Sequence, residues 1–247
     1  MLIAIDIGNS RASVGLFAGK RLLKRGFIDY STRPSAGAIG RRMRSFAGAG
    51  ASAACIASVV PRLTPIFAEA CLKLIGAKPH IITPYNAGIT IKGYKRSQLG
   101  VDRLLAAAAA YARHRRALIV IDAGTAMTID LVTARGEFAG GAIFPGIDSS
   151  ARSLAKIAAR LSYVKPSPAR RIVAKNTRDA IRAGMFHGYA GLIDHIVRRM
   201  SAESHTRPLV VVTGGDAALV KLACPIVRHL HPNLVLEGLA IVSKGMR

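Results

Sequence analysis

The sequence predicts an α/β fold used twice, one copy in each half of the chain. Three observations carry that prediction. Residues 118–132, LIVIDAGTAMTIDLV, open with four apolar residues, turn at Asp122-Ala123-Gly124-Thr125 and resume with β-branched alternation. A short apolar run, closed by Gly and followed by such alternation, reads as strand, tight turn, strand. The N-terminus repeats the pattern: Leu2, Ile3, Ile5, Asp6 and Gly8 match Leu118, Ile119, Ile121, Asp122 and Gly124. Finally, each hairpin is followed by alternating helical and extended stretches, as layered α/β proteins require.

Taken in order, the first hairpin spans residues 2–17, and Gly19-Lys20 turns into a further strand at 21–28. Ile39, Met43 and Phe46 lie at helical spacing and predict a helix over 35–47. Residues 48–52 read as a turn, 53–60 as a strand closed by Pro61, 65–75 as a helix ended by Gly76, and 79–82 as a short strand. Residues 89–94 read as extended. The alanine run 106–110 predicts a helix to about Arg116, with Asp102 and Arg103 in its first turn.

The division places a first half at 1–116 and a second at 117–247. Beyond the second hairpin, 135–137 is a turn, 138–146 a glycine-rich turn, 148–161 a helix and 162–172 a surface loop. A helix through Gly184, Gly188 and Gly191 to Met200 follows, with Thr177 placed to cap it. Residues 208–212 form a buried strand ending in the turn 213–217, 229–232 a loop, and 234–239 the closing segment.

The repeated turn points to phosphate. Gly8 and Gly124 let the backbone turn sharply and come close to a ligand. The N–H groups of such a turn, with the Ser10 or Thr125 hydroxyl, grip phosphoryl oxygens. A carboxylate repels phosphate unless a cation lies between them, so Asp6 and Asp122 each imply an ion. Turn chemistry alone explains one Asp in a hairpin turn. Two copies, one per half, favour the functional reading. Asp102, beside Arg103 at a helix start that favours anions, is a third aspartate.

Composition bounds the alternatives. With 51% apolar residues the chain fills a sizeable core, and no run reaches the roughly 18 to 20 apolar residues of a membrane span. Met1 leads straight into a strand, so a cytoplasmic protein without a signal peptide is expected. Cys55, Cys71 and Cys224 are scattered among apolar residues and read as core thiols in a reducing compartment. The net charge of +23, from 36 Lys plus Arg against 13 Asp plus Glu, raises a nucleic-acid or membrane-surface partner. The basic residues are dispersed in pairs and Trp is absent, which fits solvated helix faces better. No transition-metal spacing of His, Cys and Asp occurs, and no GxxxxGK[ST] loop is present.

DxGN[ST] at the start, GxDR at residues 100–103 and DxGTAxTxD at 122–130 together resemble the type III pantothenate kinases. The GGxIxPG stretch at 140–146, the Asn176-Thr177 pair and the LxxxGL ending are similar to later motifs of that family. The resemblance covers nearly the whole chain. It implies duplicated ribonuclease H-like domains of the actin and Hsp70 type, with mixed β-sheets and a ligand cleft between the halves. It implies ATP-dependent phosphorylation of pantothenate to 4′-phosphopantothenate, the first step toward coenzyme A. By the same resemblance Asp6, Ile7, Gly8, Asn9, Ser10, Arg11, Ala12, Ser13 and Thr125 hold ATP, which brings Mg²⁺. Asp122 binds a monovalent cation, K⁺ or NH₄⁺. Gly100, Val101, Asp102, Arg103, Thr177 and Tyr94 hold pantothenate, with Asp102 as general base. The turn at 213–217 seats adenosine, and the glycine-spaced helix packs against a second subunit of a homodimer. The sequence departs from the family at Ser10, where Thr is commoner, and before GxDR, where Tyr94-Lys95-Arg96-Ser97-Gln98 lacks the usual Asn-Pro and acid. The rival readings are another small-molecule kinase or phosphatase of the superfamily, and a non-catalytic nucleic-acid-binding regulator on the same fold.

Overall fold

The computed structural model describes residues 1–30, 34–47 and 50–246. The expected turn at 48–52 therefore lies partly outside the described residues. The chain forms two compact units, Met1–Ala112 with Leu234–Arg247, and Arg113–Asn233.

The first unit begins with the hairpin β1 (Leu2–Ile7) and β2 (Arg11–Ala18), followed by β3 (Arg21–Asp29), α1 (Ala36–Ala47), β4 (Ala53–Ser58), α2 (Thr64–Ile75) and β5 (His80–Ile82). Its sheet runs in the order β3-β2-β1-β4-β5. β1 is antiparallel to β2 and parallel to β4. Strand alternation sends Ile3, Ile5 and Ile7 to one face, where they join Val14, Ile28, Ile39, Met43 and Phe67 in the core. α2 opens with Pro65 in its first turn and closes on Gly76 in the left-handed region, where a Cβ would be strained. β6 is only Thr90–Ile91, shorter than the extended stretch expected there, and α3 is Val101–His114.

The second unit holds β7 (Leu118–Ala123), β8 (Ala126–Val132), β9 (Glu137–Pro145), α4 (Ile147–Ile157), α5 (Thr177–Glu203), β10 (Leu209–Thr213), α6 (Ala217–Ala223) and β11 (His229–Leu230). These strands run β11-β10-β7-β8-β9, with β7–β8 and β8–β9 antiparallel and β10 parallel to both β7 and β11. Reversed, that order is the order of the first sheet, strand for strand and direction for direction. The expected duplication is thus present in topology as well as in sequence. Ile119, Ile121, Met127, Ile129, Val210 and Val212 face Ile193, Val197 and Val220 in the second core.

Several elements differ from expectation. The chain end forms a helix, α7 (Leu234–Val242), and it belongs to the first unit rather than to a continuous 117–247 half. The reason is close packing: a Cβ on Gly238 would lie 2.3 Å from the Leu105 carbonyl oxygen. The Cys55 thiol also faces the Leu239 carbonyl at 3.8 Å. Residues 138–145 form strand rather than turn. There a Cβ on Gly141 would meet the Ile129 carbonyl at 2.1 Å, so this glycine lets β9 lie against β8. Part of the expected loop at 229–232 is the short strand β11. The cap of α5 is Asn176, not Thr177: the Asn176 Oδ1 accepts from the Asp179 N–H at 2.9 Å. Cys55, Cys71 and Cys224 are buried free thiols, as expected.

Candidate active site

The first acidic turn is built by β1 and β2. Asp6 stands across from Ser13, and the Gly8 N–H donates to the Arg11 carbonyl at 3.2 Å to close the turn. Asn9, Ser10 and Arg11 are exposed. Ile7 and Ala12 are fully buried in the core, so of these two only the backbone is left to face a ligand. Tyr30, beyond β3, donates its hydroxyl to the Gly8 carbonyl. Burial first, then the nearby Asp6 carboxylate, push the Tyr30 pKa up to about 12, and Arg62 pulls the other way. The phenol therefore stays a donor and keeps bracing the turn.

The turn connects to the GxDR segment through one residue. The Val59 N–H donates to the Ile7 carbonyl at 3.1 Å, and the Val59 side chain stands 3.8 Å from a Cβ placed on Gly100. Such a Cβ would also lie 2.4 Å from the Asp102 Oδ1, so glycine at 100 makes room for that carboxylate. Asp102 occupies the first turn of α3, where its Oδ1 accepts the Arg103 N–H at 2.9 Å. Burial raises the Asp102 pKa, against the opposing pull of the Arg103 N–H and the Arg103 charge. Arg103 is 6% exposed, and its guanidinium lies 5.8 Å from the centre of the Tyr94 ring. Val101 is buried in the core. The structure thus brings Gly100, Asp102, Arg103 and Tyr94 together, and sets them beside the strand that carries Asp6.

The second turn is braced on two sides. The Gly124 N–H donates to the Ala126 carbonyl at 3.1 Å, as Gly8 does in the first. The Thr125 carbonyl accepts from the Gly146 N–H at 2.9 Å and from the Ser149 hydroxyl at 2.7 Å. A Cβ on Gly146 would lie 2.0 Å from the Gly124 carbonyl oxygen, so only glycine fits under this turn. From the other side, Gly214 has φ +97, and a Cβ there would meet the Asp122 Oδ1 at 2.5 Å and the Ala123 carbonyl oxygen at 2.6 Å. The Asp216 N–H donates to the Ala123 carbonyl at 2.9 Å. The 213–217 turn expected to seat adenosine is therefore packed against the acidic hairpin. Thr125 is exposed, and Asp122 stands across from Thr128 on β8 and beside Thr213 on β10.

The donor set at this second turn suits a hard cation. The Thr128 Oγ1 is buried without a hydrogen-bond partner among the described residues, directly across from the Asp122 carboxylate. Oxygen donors of this kind hold alkali or alkaline-earth ions, whereas transition metals favour imidazole and thiolate. Among the described residues no group of three His, Cys, Asp or Glu side chains is arranged to hold a metal. Thr177 lies exposed at the start of α5. Tyr30, Val59 and Ser149 were not singled out from the sequence; their roles arise from contacts that join distant segments.

Comparison with known proteins follows the same lines. A family model described as type III pantothenate kinase matches residues 2–199. A type III pantothenate kinase of Anaeromyxobacter sp. (strain K) is 38% identical over 254 residues, covering 100% of both chains. One from Geotalea daltonii is 38% identical, covering 100% of this chain and 99% of the relative. Among solved structures, component A of the (R)-2-hydroxyglutaryl-CoA dehydratase of Acidaminococcus fermentans superposes with a TM-score of 0.56 at 14% identity, over 100% of this chain and 99% of that one. The ROK hexokinase of Thermus thermophilus gives 0.52 at 14% identity over the same shares. At such identity these two speak for the fold alone, the duplicated ribonuclease H-like architecture. Among the described residues no helix is long and apolar enough to cross a membrane.

Proposed function

The chain belongs to the type III pantothenate kinase family, and from that premise we propose how its residues divide the work. The reaction is the ATP-dependent phosphorylation of pantothenate. Asp102 is the general base that takes the proton of the substrate hydroxyl as its oxygen attacks the γ-phosphorus. The observation that carries this role is its placement. It lies on the first turn of a helix, oriented by the Arg103 N–H at 2.9 Å, with Gly100 making room for it. Phosphoryl transfer depends on positioning more than on basicity, so an oriented carboxylate suffices. Arg103, buried with its guanidinium 5.8 Å from the centre of the Tyr94 ring, offers a planar fork to the pantothenate carboxylate. Thr177 is assigned to the same substrate. The Gly8–Ser13 backbone and hydroxyls hold phosphates in the first unit, and Thr125 does so in the second.

Asp122 and Thr128 would hold a monovalent cation such as K⁺ or NH₄⁺, which supplies positive charge beside the phosphates, while Mg²⁺ arrives with ATP. Gly184, Gly188 and Gly191 lie on one face of α5 with open space where side chains would stand, which supports a second copy packing there.

The test is pantothenate-dependent ADP release, with 4′-phosphopantothenate followed as product. Asp102→Asn is expected to lower kcat by about 10²- to 10⁴-fold. The sign for stability is opposite. A carboxyl group whose folded pKa is raised contributes stability that is complete below its unfolded pKa and is lost as pH rises through the folded value. Asp102→Asn is therefore expected to melt no lower than the wild type at neutral pH. Wild-type turnover in a folded Asp102→Asn protein would remove the base assignment.

A further inference from the structure

The face of the first sheet that carries Asp6 also carries two guanidinium groups facing one ring. Pairing across β1, β2 and β3 sets Asp6, Ser13 and Phe27 in one row. Arg11 and Arg25 flank that row, with guanidinium carbons 4.0 Å and 4.8 Å from the centre of the Phe27 ring. The ring is 43% exposed, and both arginines are exposed. Two cations sharing one ring repel each other. Burial first and Arg11 second lower the Arg25 pKa. Among the described residues neither arginine forms an ion pair with a carboxylate, although Asp29 stands across from Arg11 in the strand register. Lys24, the other cation of this stretch with a ring, turns away to Phe46, whose carbonyl it reaches at 3.0 Å.

A dianionic group bridging the two guanidiniums would relieve that repulsion and satisfy their planar N–H forks. The first phosphate turn supplies such a group nearby, because Arg11 directly follows Gly8-Asn9-Ser10 and its carbonyl closes that turn. We propose that Arg11 and Arg25 form a two-guanidinium clamp for the phosphate tail of the bound nucleotide, with Phe27 as the platform that sets their spacing. This rests on the nucleotide reading of the first turn. Arg25 is thereby a binding residue on the third strand, contributed by a segment that carries none of the recognised motifs.

The test is equilibrium binding of ATP, inorganic tripolyphosphate and 4′-phosphopantothenate to wild type, Arg25→Gln, Arg25→Lys and Phe27→Leu, with folding checked by circular dichroism. Arg25→Gln is expected to weaken ATP and tripolyphosphate by roughly tenfold or more, the loss of a charge-assisted contact. Arg25→Lys is expected to fall between, since it keeps the charge and loses the fork. Phe27→Leu is expected to weaken both ligands while leaving phosphopantothenate unchanged. In steady state the Arg25→Gln loss appears in KM for ATP, with kcat and KM for pantothenate retained. Wild-type ATP affinity in Arg25→Gln, or a loss confined to phosphopantothenate, would overturn the clamp alone. No ATP binding by wild type would instead overturn the reading of the turn, and the clamp with it.

Discussion

The two acidic turns share a sequence and differ in support. The first, at Gly8, leaves Asn9, Ser10 and Arg11 exposed, and from outside its own hairpin the Tyr30 hydroxyl and the Val59 N–H reach it. The second, at Gly124, has Gly146 beneath it and Gly214 against its carboxylate, both at distances that exclude a Cβ. The same local code is thus met by tighter glycine packing in the second unit than in the first. Topology explains this. The β9–α4 and β10–α6 connections both return to the second turn, and the Tyr30 hydroxyl and the Val59 N–H reach the first. Backbone packed this closely around the second turn suits an ion held at fixed geometry.

Glycine replacement separates the two turns most sharply. Gly146→Ala and Gly214→Ala are each expected to cost about 2 to 4 kcal/mol in chemical denaturation, from overpacking against backbone and, at 214, left-handed strain. Among the described residues Gly8→Ala meets the Arg11 carbonyl alone, at 3.2 Å, and is expected to cost under about 1.5 kcal/mol. Equal costs at all three would erase the difference. Tyr30→Phe comes next, with a loss of about 0.5 to 1.5 kcal/mol from one hydrogen bond and a higher KM for ATP. Because the folded Tyr30 pKa is raised to about 12, its contribution is complete below the unfolded value and lost as pH climbs toward about 12. Wild type should therefore weaken in that alkaline window by a step that Tyr30→Phe lacks. The smallest effect is at α5. Asn176→Ala removes the cap and is expected to cost about 1 kcal/mol, while Thr177→Ala, which caps nothing, costs less and acts on KM for pantothenate.

Much of this was legible in the sequence because it is local. Apolar alternation around Asp-Gly specified both hairpins, and the alanine run set α3 with Asp102 in its first turn. What was not legible depends on chain return. Nothing near Tyr30 announces that its hydroxyl reaches Gly8, and nothing in residues 234–242 tells which unit α7 will cover. The glycines of 140–146 read as a turn because their density is a turn signal; in the fold Gly141 and Gly146 serve close approach to backbone instead. Thr177 and Asn176 are both good caps, and only the geometry of the first turn of α5 chose between them.

The most direct measurement is calorimetric titration of MgATP, with and without K⁺, into wild type, Asp6→Asn and Asp122→Asn. If the second turn holds the monovalent ion and the first meets the phosphates, K⁺ strengthens binding to wild type and to Asp6→Asn but no longer to Asp122→Asn. A K⁺ gain in Asp122→Asn as large as in wild type would contradict that division of labour.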